Sequence, residues 1–247
     1  MTTESKIDMK VTRYRKEDGI TYALGATVVM EYLLHRKDKV LEVIFHPKFN
    51  SEDTKEKIRS ICTSAGIPVT EEEKPFNILS QKENCFVIGV IGKYDCKLQK
   101  GNHVVLVNPS NAGNMGTIMR SALGFGVERI AVIPPAVDHF DPKTIRASMG
   151  AAASVEIEVF DTMEDYLARF PENNCYPFML DGSVLLQKTE LKAPFSLIFG
   201  NEATGLPASF AKIGAPVRIE HGHKIDSLNL PIAASIALYE ATKGFFA

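Results

Sequence analysis

Three stretches in the second half of the chain hold the residues best suited to chemistry. In NPSNAGNMGTIMRSALGFGV (108–127), an apolar run ends in an Asn/Gly-rich loop, and a helical pattern follows that carries Arg120 one to two turns inside. Backbone N–H groups exposed at such a helix start suit a polyanion or another polar ligand. The stretch lacks GxGxxG, and no Gly-Lys-Ser/Thr follows, so it is neither a dinucleotide fingerprint nor a P-loop. A purely structural account, with Asn114 as N-cap and Gly124 and Gly126 ending the helix, serves equally well. In SLIFGNEATGL (196–206), an apolar strand runs into a Gly-Asn-Glu turn that sets Glu202 at the strand's mouth, with Gly205 available for a positive φ. A solvated carboxylate or a helix cap is the plain alternative there. In RIEHGHKIDSLNLPIAASIALYE (218–240), a strand, a polar loop and an apolar helix succeed one another. Ser227 and Asn229 stand just before Pro231, which is pre-set for a first helical turn. Capping accounts for one of the two but not for both. His221 and His223 read as surface histidines and receive no role.

These stretches need a frame that brings strand ends together. Short apolar runs starting at residues 103, 129, 154, 176, 195 and 216 alternate with helical patterns, the rhythm of a parallel sheet covered by helices. Several runs end in Gly, Asn, Asp or Pro, which places the site at the carboxyl edge, where open α/β sheets bind ligands. Before them, KVLEVIFHP (39–47) and ENCFVIGVIG (83–92) read as strands. Residues 23–36 and 54–65 read as helices, the second closed by Gly66 and Pro68. The polar, aperiodic KYDCKLQKGN (93–102) is the expected linker between a small α/β unit and a larger one.

Composition permits this frame and restricts the chemistry. At 247 residues and 45% apolar content, the chain can bury a real core. Four cysteines without a CxxC pair or a His at zinc spacing indicate neither a metal site nor a disulfide framework, and a reducing cytoplasm fits them. No apolar stretch approaches the roughly 18 residues of a membrane span. Net charge is −2, but residues 1–100 hold 17 Lys and Arg against 15 Asp and Glu. Any grip on a polyanion would therefore start in the first unit.

Taken together and in this order, the three stretches resemble the motifs of the SpoU (TrmH) branch of the SPOUT methyltransferases. Asn114, Gly116 and Arg120 match Asn-x-Gly-x-x-x-Arg; Phe199 to Leu206 match Phe-Gly-Asn-Glu-x-x-Gly-Leu; Ser227, Leu228 and Asn229 match Ser-Leu-Asn. IRASMGA (145–151) is similar to a stretch between the first two motifs. The resemblance implies an α/β fold, with a trefoil-knot domain with a parallel sheet at 98–247 preceded by a small α/β/α RNA-binding domain at 1–97. A knot is something ordinary connection rules would not suggest. It also implies S-adenosylmethionine as cofactor, contacted by Leu180, Asp181, Gly182, Phe199, Gly200, Asn201, Ile219 and Leu228. The implied reaction is methylation of a ribose 2′-hydroxyl in ribosomal or transfer RNA, carried by Asn114, Arg120, Glu202, Ser227 and Asn229. A homodimer through the C-terminal helix (230–244), no metal and no membrane complete the expectation. The rivals are an RNA-binding module of the same fold that has lost catalysis, and an unrelated nucleotide-binding enzyme such as a dehydrogenase.

Overall fold

The computed structural model describes residues 11–79, 85–181, 184–222 and 224–246. Its first unit runs β1 (Ile20–Leu24), α1 (Ala26–His35), β2 (Val40–Phe45), α2 (Glu52–Ala65), β3 (Val69–Glu71), α3 (Lys74–Leu79) and β4 (Val87–Gly92). The four strands form one sheet in the order β1-β4-β2-β3. Strand alternation sorts the core: Val43 and Phe45 face the cluster that holds Val29, Leu33 and Ile58, while Ile44 between them joins Tyr22 and Phe76 on the other face. Gly89 sits where α1 comes down on the sheet, so close that a Cβ there would lie 3.3 Å from Val29 Cγ2.

The helix expected from residue 23 starts later. Tyr22, Ala23 and Leu24 pair with β4 in antiparallel register, and Gly25 at φ 108 turns the chain into α1. A conformation so costly to residues with a Cβ marks the boundary that apolar spacing alone blurred. The expected end of α2 stands, with Gly66 in the left-handed region as its C-cap.

The second unit is a five-stranded parallel sheet in the order β7-β6-β5-β10-β8. It is built from β5 (His103–Val107), α4 (Ala112–Gly124), β6 (Arg129–Ile133), α5 (Pro142–Ala147), β7 (Glu156–Val159), α6 (Met163–Arg169), β8 (Asn174–Pro177), β9 (Val184–Leu185), β10 (Phe195–Phe199), β11 (Val217–Arg218) and α7 (Leu230–Thr242). Five of the six expected runs join this sheet. The sixth does not: β11 pairs with β9 in a separate two-stranded sheet. On one face, Met115, Ile118 and Met119 of α4 and Ala234, Ala237 and Leu238 of α7 meet the sheet in one cluster; on the other, α6 brings Met163 and Tyr166. Burying side chains of this size contributes roughly 1.5–3 kcal/mol each for Leu, Ile or Met.

The segment 93–102 has no regular structure but is no loose tether. Leu98 is 2% exposed and its N–H donates to Glu158, and Tyr94 packs edge-on against Phe140.

Candidate active site

At the carboxyl ends of β8 and β10 lies a cavity of about 420 Å³, within the range of small-molecule sites. Leu180, Asp181, Phe199, Gly200, Asn201, Ile219 and Leu228, all expected cofactor contacts, line it, together with Glu202 and Ser227. Gly182, the remaining expected contact, lies outside the described residues, as does His223. Sequence reasoning missed Phe178 and His221. Phe178 stacks on Phe199 with ring centroids 4.6 Å apart, and His221 donates from Nδ1 to the Ile219 carbonyl at 3.0 Å. Phe178 was visible only as one of several apolar residues in its run, and a loop histidine carries no signal of its own.

Gly200 is required by backbone proximity. The turn after β10 folds back, with Gly205 N–H donating to the Asn201 carbonyl at 2.9 Å, and a Cβ at Gly200 would overlap the Gly205–Leu206 backbone. The Asn201 side chain holds the same turn from within: Oδ1 accepts from Ala203 N at 2.9 Å, and Nδ2 donates to the Asn108 carbonyl at 2.9 Å. Asn108 itself has φ 53, a conformation Asn tolerates better than most residues.

Glu202 reaches from this turn to the start of α4. One carboxylate oxygen accepts from Ser110 N at 3.1 Å and Ser110 Oγ at 2.7 Å; the other accepts from Asn111 N at 3.1 Å and Asn114 Nδ2 at 3.2 Å. Burial alone would raise the Glu202 pKa, but hydrogen bonds from the Ser110 hydroxyl, backbone amides and Asn114 prevail and hold it below the ordinary value. This corrects two readings of the first motif. Asn111, not Asn114, is the N-cap, its side chain accepting from Asn114 N at 3.0 Å. The helix N-terminus expected to receive a polyanion already faces a carboxylate from its own chain, which also complements the helix dipole.

From that anchor α4 carries Arg120 out. Gly116, one turn before it, touches α5 so closely that a Cβ would come within 2.6 Å of Ala147 Cβ. Arg120 is exposed, has no ion pair or hydrogen-bonded partner through its side chain among the described residues, and does not line the cavity. Asn114 and Asn229 also stand outside the lining. Ser227 and Asn229 show that capping explains neither residue: Asn229 occupies the N-cap position of α7 without a side-chain cap bond, and neither side chain is hydrogen-bonded among the described residues. The helices themselves are joined, Ser235 Oγ donating to the Pro231 carbonyl at 2.7 Å and accepting from Ser121 Oγ at 2.8 Å.

The lining has a one-sided chemistry. It contains Asp181 and Glu202 but, among the described residues, no Lys or Arg. Apolar rings, exposed backbone and carboxylates suit a ligand that is part apolar and part cationic, such as a sulfonium nucleoside with a free ammonium. A dinucleotide pyrophosphate would meet no cation there. No grouping of three or more His, Cys, Asp or Glu that could hold a metal occurs among the described residues.

Comparison with known proteins gives the same motifs a family. Residues 101–239 match the SpoU rRNA Methylase family model. The AdoMet-bound rRNA methyltransferase of Sinorhizobium meliloti superposes with a TM-score of 0.79 at 27% identity, covering 94% of this chain and 90% of that one. A Streptomyces viridochromogenes 23S rRNA uridine 2′-O-methyltransferase is 30% identical over 148 residues, 57% of this chain and 52% of that protein. An uncharacterised tRNA/rRNA methyltransferase of Synechocystis is 29% identical over 143 residues, 57% of this chain and 52% of its own length. The match thus spans about half the length of these two relatives, and the residues of the family model lie in the unit that forms the cavity. With the family model covering more than half of its residues, the chain belongs to the SpoU rRNA Methylase family.

Proposed function

We propose that the protein is an S-adenosylmethionine-dependent methyltransferase acting on a ribose 2′-hydroxyl of ribosomal or transfer RNA. The observation that carries this reading is the cavity itself: an acidic hollow at the carboxyl edge without Lys or Arg among the described residues of its lining, built from residues of the second and third motifs, with the first motif tied to it by Glu202. The dehydrogenase alternative lacks a glycine fingerprint, and among the described residues of the lining no Lys or Arg would meet its phosphates. The inactive-module alternative would have to explain why Asn114, Arg120, Glu202, Ser227 and Asn229 all stand in place.

The cofactor would be held by Phe199, Gly200, Asn201, Ile219 and Leu228, together with Leu180 and Asp181, and Gly182, which lies outside the described residues, is proposed as a further contact. When bound, it supplies an electrophilic methyl group on a cationic sulfur. The chain's own residues must hold a ribose oxygen in line with that methyl and stabilise charge as the hydroxyl proton leaves, and positioning is the larger share of such catalysis. A guanidinium has donors and no acceptor, so Arg120 is no base. It grips the target's phosphate and stabilises the charge developing on the 2′-oxygen. Ser227 and Asn229 orient the ribose and Arg120, while Asn114 and Glu202 fix the loop from which α4 starts.

We also assign residues 98–247 to a trefoil-knotted catalytic domain and residues 1–97 to a substrate-binding domain that grips RNA. The departure of β11 from the main sheet and the return of α7 onto α4 support the threaded connection. A homodimer is supported by the exposed stripe Ile232, Ile236 and Tyr239 on α7, continued by Phe245 and Phe246. A cytoplasmic location without a metal accords with this function, and no helix of the described residues is long and apolar enough to cross a membrane. Calorimetry on the protein without RNA tests the reading: S-adenosylmethionine binds and NAD does not, and binding of NAD alone overturns it.

A further inference from the structure

The segment from Asp138 to Ala153, which includes α5, is gripped at three places by the first unit. At its start, the Tyr14 hydroxyl donates to the Asp138 carboxylate, Lys93 Nζ lies 3.9 Å from the same carboxylate, and the Thr21 hydroxyl donates to the Phe140 carbonyl. Lys93 also donates to the Lys16 carbonyl at 2.7 Å and stands over the Tyr14 ring at 4.6 Å, so the strap at residues 14–16 is tied into the same joint. In the middle, Gly150 is pressed against the Glu31 side chain and has no room for a Cβ. At its end, Arg36 Nε donates to the Ala153 carbonyl at 3.1 Å and Tyr94 to the Ala152 carbonyl at 3.2 Å, with the Arg36 guanidinium 4.9 Å above the Tyr94 ring.

The other face of the same segment bears on α4. Gly116 allows the Thr144 carbonyl, Ala147 and the Ser148 amide to lie directly against the helix that carries Arg120. Asp138 binds its own segment together as well: Oδ1 accepts from Phe140 N at 2.9 Å, and its carbonyl accepts from Thr144 Oγ1 at 3.1 Å. A continuous run of contacts therefore leads from the first unit, through one short segment, to the arginine. Contacts between units of one chain ordinarily leave them free to move. Here five of the ties end on backbone carbonyls or a carboxylate 13% exposed, which fix distance and angle more tightly than side-chain packing alone.

We propose that this joint is a measuring device for the methyl-transfer reaction, with Asp138 as its central positioning residue: it holds an RNA gripped by the first unit at a set distance from Arg120. The inference rests on the RNA-gripping role of that unit. Its physical basis is that a misplacement of the order of 1 Å remote from the chemistry can cost about 100-fold in rate. Asp138 does not line the cavity, so loosening the joint separates methyl transfer from cofactor affinity.

The test uses the full chain, labelled S-adenosylmethionine, and total RNA from a strain lacking the gene. Spin labels at Lys57→Cys and Glu164→Cys, in a Cys96→Ser background, report the spacing of the two units. Asp138→Ala is expected to broaden that spacing, leave S-adenosylmethionine affinity within about twofold, leave the apparent KM for RNA within about threefold, and lower the single-turnover rate at saturating RNA about tenfold or more. The doubly substituted Tyr14→Phe, Thr21→Val chain, which loses only two hydroxyls, shows a smaller fall of the same kind and replaces Asp138→Ala if that variant does not fold. A broadened spacing with an unchanged rate overturns the proposal, as does a rate loss accompanied by an equal loss of cofactor affinity. Photocrosslinking of the same RNA separates the two readings. Absence of crosslinks to residues 11–94 in the unsubstituted protein overturns the RNA-gripping role itself, whereas crosslinks with unchanged rates overturn the joint alone.

Discussion

The two ends of the central sheet handle their polar groups in opposite ways. At the amino ends of β5 and β10, His103, Tyr166, Ser196 and the Asn173 side-chain nitrogen form a chain with every direction set, and only the buried Asn173 Oδ1 in it has no hydrogen-bond partner among the described residues. The Gln99 carbonyl can only accept, so His103 donates to it from Nε2 at 2.8 Å and accepts a hydrogen bond from the Tyr166 hydroxyl on Nδ1 at 2.8 Å. Ser196 then donates to Tyr166 at 2.6 Å, and the Asn173 amide donates to Ser196 at 3.0 Å. At the carboxyl ends only half of the site is closed in this manner. Glu202 satisfies the loop at 108–114 with four bonds, while Ser227 on the cavity lining and Asn229, two residues on and outside it, stay exposed and without hydrogen-bonded side-chain partners among the described residues. A closed polar chain rigidifies; open polar groups at a cavity mouth wait for a ligand to satisfy them. One sheet thus separates a bonded polar chain at one edge from the proposed reaction at the other.

The largest expected effect breaks the open side. Arg120→Ala abolishes methyl transfer and leaves S-adenosylmethionine affinity nearly unchanged. Arg120→Lys also loses most activity, because an ammonium keeps the charge but not the planar fork. Turnover assays beside calorimetry check both. Near-normal activity of the Lys variant would reduce the role to charge, and an equal loss of cofactor binding would move Arg120 to the fold.

Glu202→Gln comes next, because it tests whether the pinned loop is preorganised by this carboxylate. An amide replaces one acceptor oxygen with a donor and turns it toward N–H groups, which costs about 1–3 kcal/mol in thermal or chemical unfolding. The Glu202 pKa is depressed in the folded protein, so its contribution is present above the unfolded carboxylate pKa and is lost as pH falls through the folded one. The variant's stability deficit should therefore shrink under acid.

Ser227→Ala and Asn229→Ala should change unfolding by no more than about 0.5 kcal/mol, as expected of side chains that hold nothing in the free protein, and still slow methyl transfer. Hydrogen exchange sharpens the contrast: adding S-adenosylmethionine slows exchange at 224–229 and leaves 108–114 as it was. Equal protection of both loops would erase the distinction between them.

The smallest effect probes the closed edge. Burial holds the His103 pKa below its ordinary value, against the opposing bond to Gln99. A histidine depressed in the folded state adds stability above the unfolded value of about 6.5 and loses it as pH falls through the folded value. His103→Gln, which cannot titrate, should melt lower at pH 7.5 yet lose less than the parent on going to pH 5.5. Parallel melting curves for the two across that interval would sever the chain from pH.

How much of this was legible beforehand differs by element. The strands of the parallel sheet were plain as apolar runs because burial on both faces leaves no polar alternation to confuse them. β1 was lost into the helix pattern of α1, since Tyr22, Ala23 and Leu24 are apolar by either period and only Gly25 separates them. The polar 93–102 segment read as a tether because composition does not show that Tyr94 and Leu98 are anchored by residues 58 and 60 positions away.

By itself the sequence determined the identity and order of the three motifs and the alternation of strands and helices, and so which residues are proposed for the site, because strand and helix periods and turn residues are local properties. Tertiary structure alone decided that Glu202 ties down the loop leading into α4, that Asn111 rather than Asn114 is the N-cap, that β11 leaves the main sheet, and that the two units are tied through Asp138. Each of these depends on groups far apart in the chain meeting within hydrogen-bonding distance, and no local spacing encodes which donor a buried or half-buried acceptor will find.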